Sequence, residues 1–144
     1  ELANNHPNIT FHPFCVYIEN CKKEYYLQTL HSSIYSHRDP NHCTDLVEVQ
    51  CVRLDSYPTP DWLWMDIQGA ELDALKSLGE SLRDVKIINI EIMIEPIYVG
   101  CALYHETNAY LEEFGFKRVF GPSPEEGASG FDNYIYLNKR FCVC

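Results

Sequence analysis

Three carboxylates occupy positions from which a sheet protein can do chemistry: Asp66, Glu71 and Glu91. Asp66 lies near the C-terminal end of Trp62-Leu-Trp-Met-Asp-Ile67, a short bulky run that is apolar apart from this acid. In open α/β sheets ligands bind in the crevice outside the carboxyl ends of the strands, so an acid there is placed to meet a reacting group. Gln68 and Gly69 follow, and a glycine allows both a tight turn and a close approach of backbone to ligand. Glu71 falls in the first turn of the next helix, where the helix dipole favours negative charge. It either shapes a pocket or only stabilises the helix start. Glu91 ends a second apolar run beside the same crevice, where it orients a ligand or pairs as a buried acid with Arg53 or Lys86.

Two further groups are candidates. His31, Ser32, Ser33, His37, His42 and Cys43 crowd one polar stretch. Histidine and cysteine are zinc ligands, but this spacing matches none of the usual zinc motifs, so the stretch is read as contacting substrate through Ser32 and Ser33. Tyr98, Tyr104 and His105 follow the run that carries Glu91, again on the ligand side. For the aromatics, packing is the competing role.

The elements that must position these residues can be read from hydrophobic period. Residues 62–67 suit a strand buried on both faces of a parallel sheet. The next segment is a helix with Ala74, Leu75, Leu78 and Leu82 on one face, ended or interrupted by Gly79. Residues 85–94 form a second buried strand, with Ile88, Ile90, Ile92 and Ile94 on one face and Asn89, Glu91, Met93 and Glu95 on the other; Pro96 then forces the chain out of the sheet. A helix over 105–114 closes at Gly115, a strand runs over 116–120, a loop rich in Pro, Gly and Glu covers 121–130, and a last strand over 132–137 runs antiparallel to its predecessor. Upstream, residues 1–8 are the end of a helix or a loop, and the β-rich pieces 9–11, 14–18 and 24–30 are expected to form a hairpin. Residues 31–45 are loop, too long and polar for an idle connection. Residues 46–54 alternate as an edge strand would, and 55–61 connect.

Strand, helix, strand, helix, strand, loop, strand is the C-terminal half of a doubly wound α/β sheet ending in an antiparallel pair. The run Met65-Asp66-Ile67-Gln68-Gly69-Ala70-Glu71-Leu72, with Leu75 following, resembles the central signature of FkbM-type methyltransferases. Trp64 stands where that family usually carries a lysine. Val52-Arg-Leu-Asp55, Ile88-Asn-Ile-Glu91 and Tyr110-Leu-Glu-Glu-Phe-Gly-Phe116 also sit where the family places such segments. The resemblance is strongest over residues 45–120. It implies a Rossmann-like methyltransferase sheet, S-adenosylmethionine as cofactor and O-methylation of a small molecule or glycan. Asp66 and Glu91 would then be catalytic, Asp66, Gln68 and Gly69 would hold cofactor, and Glu71, Ser32, Ser33, Tyr98 and His105 would meet the acceptor. In that family a glycine-rich turn and an acidic strand end hold the amino-acid part and ribose of the cofactor. Here the first glycine is Gly69. The chain therefore reads as a single domain cut before its third strand, incapable of methyl transfer alone and with residues 62–67 lacking a neighbour on one side. The alternative is a non-catalytic interaction domain that has lost the cofactor half.

Composition limits the remaining classes. At 144 residues and 46% hydrophobic, the chain suits one soluble globular domain. A net charge of −10 argues against nucleic acid and anionic membrane as partners. No apolar run reaches the ~20 residues of a membrane span, and residues 1–6 lack signal-peptide character, which favours a cytoplasmic setting. The 7 cysteines are an odd number without a Cys-x-x-Cys pair. Cys15, Cys51 and Cys101 read as small buried hydrophobes, and Cys142-Val-Cys144 as an end free to bind metal, oxidise or do nothing. A disulfide-stapled secreted module, in which Asn8-Ile-Thr10 would accept a glycan, is the lesser reading.

Overall fold

Strand β4 (Trp62–Met65), helix α1 (Glu71–Ser77) and strand β5 (Ile87–Met93) form the parallel crossover around which the computed structural model is built. It describes residues 8–28, 31–42, 45–123 and 130–142. Helix α2 (Tyr104–Glu113), strand β6 (Phe116–Phe120) and strand β7 (Phe131–Asn138) complete a four-stranded sheet of order β4-β5-β7-β6. β7 enters between β5 and β6 and is antiparallel to both. The α/β class, the parallel pair and the antiparallel ending agree with expectation.

One face of this sheet is covered. Met65, Ile88, Ile90, Ile92, Tyr134 and Tyr136 meet Ala74, Leu75, Leu78, Leu82 and Leu111 in a single apolar cluster. Their periods explain it: alternate strand residues point to one face, and the helical positions fall on one stripe. Gly79, at φ 54°, stops α1 and a short 3-10 segment over Gly79–Asp84 carries Leu82 into the same core.

The opposite face corrects the expectation that residues 62–67 are buried on both sides. Trp62 and Trp64 are 58% and 69% exposed, their rings stacked 6.2 Å apart, because no described element covers them. Among the described residues β4 pairs only with β5, so its other edge has no neighbouring strand.

The N-terminal part departs further from the sequence reading. Strands β1 (Cys15–Val16), β2 (Cys21–Leu27) and β3 (Asp45–Val52) form a separate sheet of order β1-β3-β2. The expected hairpin does not form: β1 and β2 lie on opposite sides of β3, parallel and antiparallel to it respectively. Residues 17–20 cross the end of β3, tied there by Arg53, whose backbone N–H donates to Asn20 Oδ1 (2.9 Å) and whose Nη1 donates to Ile18 O (2.5 Å). β3 is thereby the central strand rather than an edge. Residues 9–11 are not a strand; Ile9 and Phe11 are exposed. The stretch 31–42 is pinned at both ends, through the Tyr26–Ser33 and His37–Tyr98 bridges. Residues 1–7, Cys43, residues 124–129 of the Pro/Gly/Glu-rich loop, and Cys144 lie outside the described residues. No helix among the described residues is long and apolar enough to cross a membrane.

Candidate functional site

The two sheets meet at the turn between β4 and α1. Ile67 packs against both the helix-covered core and a second cluster formed by Ile34, Cys51 and Ala70. Here the chain takes two consecutive left-handed residues, Gln68 at φ 55° and Gly69 at φ 96°. A left-handed glutamine is uncommon outside turns that are held from several directions. This one is held by Glu71. Its Oε1 accepts from Ile67 N–H and its Oε2 from Gly69 N–H, both at 2.9 Å, so the carboxylate closes its own turn from beneath. Only 4% of Glu71 is exposed, and burial pushes its carboxyl up to about 7, although the backbone N–H groups of Ile67, Glu71 and Gly69 draw it down. A direct contact of Glu71 with acceptor is not what the geometry offers; the side chain positions Gln68.

Gln68 is the hub of the site. Its Nε2 donates to Asp66 Oδ1 (2.6 Å) and to Glu91 Oε1 (3.1 Å), and its Oε1 accepts from the Tyr98 hydroxyl (2.8 Å). Ser33 Oγ donates to the Gln68 carbonyl at 2.7 Å, and His31 Nδ1 lies 3.3 Å from Gln68 Oε1. The loop of residues 31–35, the turn, the end of β5 and the segment after it thus converge on one amide. The alternative partners considered for Glu91 are engaged elsewhere: Arg53 with Asp55 and Lys86 with Asp61. Glu91 is 5% exposed. Burial first, then the Asp66 and Glu71 charges, push its carboxyl up to about 7 against the pull of the Gln68 donor. Burial and the Glu91 and Glu71 carboxylates also push the Tyr98 phenol up, which keeps it a donor toward Gln68.

Gly69 has a different reason to be glycine from the one its sequence position suggests. A Cβ there would stand 2.9 Å from Tyr98 Cδ2 and 3.1 Å from Cys101 Cβ, so the vacant space is taken by the protein's own packing and not by a ligand. Ser33 is buried, its hydroxyl donating to the Gln68 carbonyl and accepting from the Tyr35 N–H. Ser32 Oγ bonds the backbone of Gln28, accepting at 2.9 Å and donating at 2.7 Å. His105 stands exposed on α2, its ring against Tyr104, and takes no part in this network. Of the residues singled out from sequence, the structure brings together Asp66, Gln68, Gly69, Glu71, Glu91, Ser33 and Tyr98, and leaves Asp66 the exposed acid among them.

Two clefts open on either side of Gln68. One, of about 250 Å³, is apolar and lies against Phe14, Cys15, Val16 and Ile34, with Asp66 and Ser32 at its margin. The other, of about 410 Å³, is framed by His31, His37, Arg38, Glu95, Tyr98 and Phe131. Ligand cavities for drug-sized molecules run from roughly 300 to 1,000 Å³, which makes the second the larger candidate. Arg38 and Phe131 were missed in the sequence. The signal for Glu95 existed: the alternation read over residues 85–94, carried one residue further, puts it on the face of Glu91, although β5 itself ends at Met93. Among the described residues no cluster of three His, Cys, Asp or Glu side chains could hold a metal ion.

The arrangement suits proton handling beside a ligand hydroxyl. It offers an exposed carboxylate at a strand end, a second carboxyl near neutrality behind it, and one amide bridging the two. A family model described as the methyltransferase FkbM domain matches residues 2–118. No curated protein and no solved structure matches the chain.

Proposed function

The chain belongs to the FkbM methyltransferase family, and we propose that it serves in S-adenosylmethionine-dependent methyl transfer to an oxygen of a small molecule or glycan. The observation that carries this reading is the bridge Asp66–Gln68–Glu91 at the C-terminal end of the parallel pair.

S-adenosylmethionine, when bound, supplies an electrophilic methyl on a cationic sulfonium. The residues present fit one end of such a group. Asp66 is an exposed carboxylate with Glu91 behind it, and adjacent carboxylates favour a cation. Asp66, Gln68 and the turn at Gly69 would lie along that end. No glycine precedes Gly69, so nothing in residues 1–68 matches the turn that would hold the amino-acid end.

Methyl transfer is a direct displacement, and the protein's work is to hold the reacting atoms in line. Asp66 accepts the hydrogen bond of the acceptor hydroxyl and takes its proton as the oxygen becomes nucleophilic. Gln68 fixes the Asp66 carboxylate through Oδ1, and Glu71 and Ser33 fix Gln68. The smaller cleft, which Asp66 and Gln68 line, receives the rest of the acceptor.

Asp66→Ala should lower turnover by at least about 10²-fold while leaving the circular dichroism spectrum and melting temperature unchanged. Unaltered turnover would remove Asp66 from the mechanism. Calorimetry with S-adenosylmethionine separates this function from that of a non-catalytic interaction domain.

A further inference from the structure

Three of the cysteines form a row across the N-terminal sheet. Cys51 on the central strand faces Cys15 on one side and Cys21 on the other, in register with both. Opposed residues on neighbouring strands have Cα atoms about 4.5–5.5 Å apart in an antiparallel pair. Disulfides span Cα separations of about 4.4–6.8 Å, so the strand spacing already meets the requirement without backbone movement. All three side chains pack in the same apolar cluster, on the face that meets Ile34, Ile67 and Ala70. All three are free thiols.

We propose that Cys21 and Cys51 are a reversible thiol oxidation site that closes as a cross-strand disulfide in the presence of hydrogen peroxide or a comparable two-electron oxidant, with Cys15 as the exchange partner. The order of events follows from access. Cys51 is fully buried, and burial with its two thiol neighbours pushes it up to about 11, so it holds its proton and is not the first to react. Cys21 is part-exposed and stands directly opposite Cys51 on the neighbouring strand.

The Cys21 sulfur attacks peroxide, the O–O bond breaks, and a sulfenic acid and one water result. The Cys51 sulfur then displaces the hydroxyl from Cys21: the S–S bond forms, the S–O bond breaks, and the Cys51 proton leaves with the hydroxyl as a second water. Two thiols are oxidised and one peroxide is reduced. Cys15, also opposite Cys51, can attack the Cys51 sulfur and shift the bond to the other strand, releasing Cys21. That exchange matters for the site because Cys15 lines the smaller cleft together with Asp66 and Gln68.

The test is thiol mapping by mass spectrometry on the whole chain. Purified protein is treated with hydrogen peroxide, remaining thiols are alkylated, and cross-linked peptides are identified before and after reduction. We expect two thiols to be lost together, a Cys21–Cys51 peptide lighter by two hydrogens, and full recovery with a dithiol reductant. Cys15→Ser should leave this bond forming, whereas Cys21→Ser should redirect it to Cys15–Cys51. Because both substituted positions are part-exposed, folding is checked by circular dichroism on these variants rather than on Cys51 variants. Oxidation confined to Cys101 or Cys142, irreversible oxidation of Cys21 without cross-linking, or a bond pattern indifferent to Cys21→Ser would each overturn the proposal.

Discussion

Glu71 and Glu91 are buried to nearly the same degree and both are pushed up to about 7, yet the turn holds one and the strand end presents the other. Glu71 spends both oxygens on backbone N–H groups of its own turn, at 2.9 Å each. Glu91 receives a single amide donor at 3.1 Å, and that donor is shared with Asp66. The first arrangement is self-sufficient, since no ligand could add to it without breaking the turn. The second is under-supplied, which costs stability in the resting protein and leaves the group responsive to what arrives. Burial alone therefore does not mark a functional acid; the acceptor capacity left unfilled does.

The contrast is most severely tested at Glu71. Glu71→Ala leaves two buried N–H groups without acceptors, each worth about 1–3 kcal/mol, and should destabilise the fold by about 4 kcal/mol in urea titration. A loss under about 1 kcal/mol would show that the turn does not depend on this carboxylate.

Glu91→Gln should act in the opposite direction and only over part of the pH range. The folded Glu91 carboxyl stands at about 7 against an ordinary 4.5. The group is protonated in both states below about pH 4.5, and its contribution is whole there. Stability is lost as pH rises through 7, because the folded state must bury the charge while the unfolded chain carries it freely. At ~1.4 kcal/mol per unit the loss is on the order of 3 kcal/mol. In urea titrations the variant should match the parent below pH 4.5 and exceed it above pH 7. Parallel curves throughout would mean that Glu91 is not pushed up.

Gly69→Ala comes next, at about 2 kcal/mol, from the left-handed backbone and the approach to Tyr98. It should also displace the Tyr98 hydroxyl from Gln68 and so weaken the strand-end arrangement while leaving the Glu71 bonds in place. Tyrosine fluorescence and thermal melting together report the two effects. The smallest change belongs to Trp64→Ala, which lies outside both arrangements on the uncovered sheet face. Within about 0.5 kcal/mol of the parent is expected there, and a larger loss would mean that the stacked pair with Trp62 braces β4.

Much of the fold was legible from period alone. The helix stripe Ala74, Leu75, Leu78, Leu82, the alternation along β5 and the stop at Gly115 are local patterns, and each is found as read. The N-terminal sheet was not legible, because a hairpin and a three-stranded sheet with a crossing share the same local signals. What separates them is Arg53, more than thirty residues away in the chain from Asn20 and Ile18, which ties the crossing over the end of β3. Exposure of Trp62 and Trp64 was misread for a related reason. An apolar residue reports that it would be stable when buried, not that some element covers it.

For the site, local pattern was enough to name the residues able to act: Asp66 at a strand end, Gln68 and Gly69 in a turn, Glu71 at a helix start, Glu91 on the neighbouring strand. These assignments follow from chain-local rules of side-chain period and backbone freedom. What each of them does follows from the packed fold. Glu71 turns inward, Gly69 makes room for Tyr98, Ser33 holds the Gln68 carbonyl, and His105 stands apart. Glu71 finds its partners two and four residues away; the other placements depend on contacts between segments 23 to 35 residues apart, whose hydrogen-bond donors and acceptors are allotted only once those segments are packed.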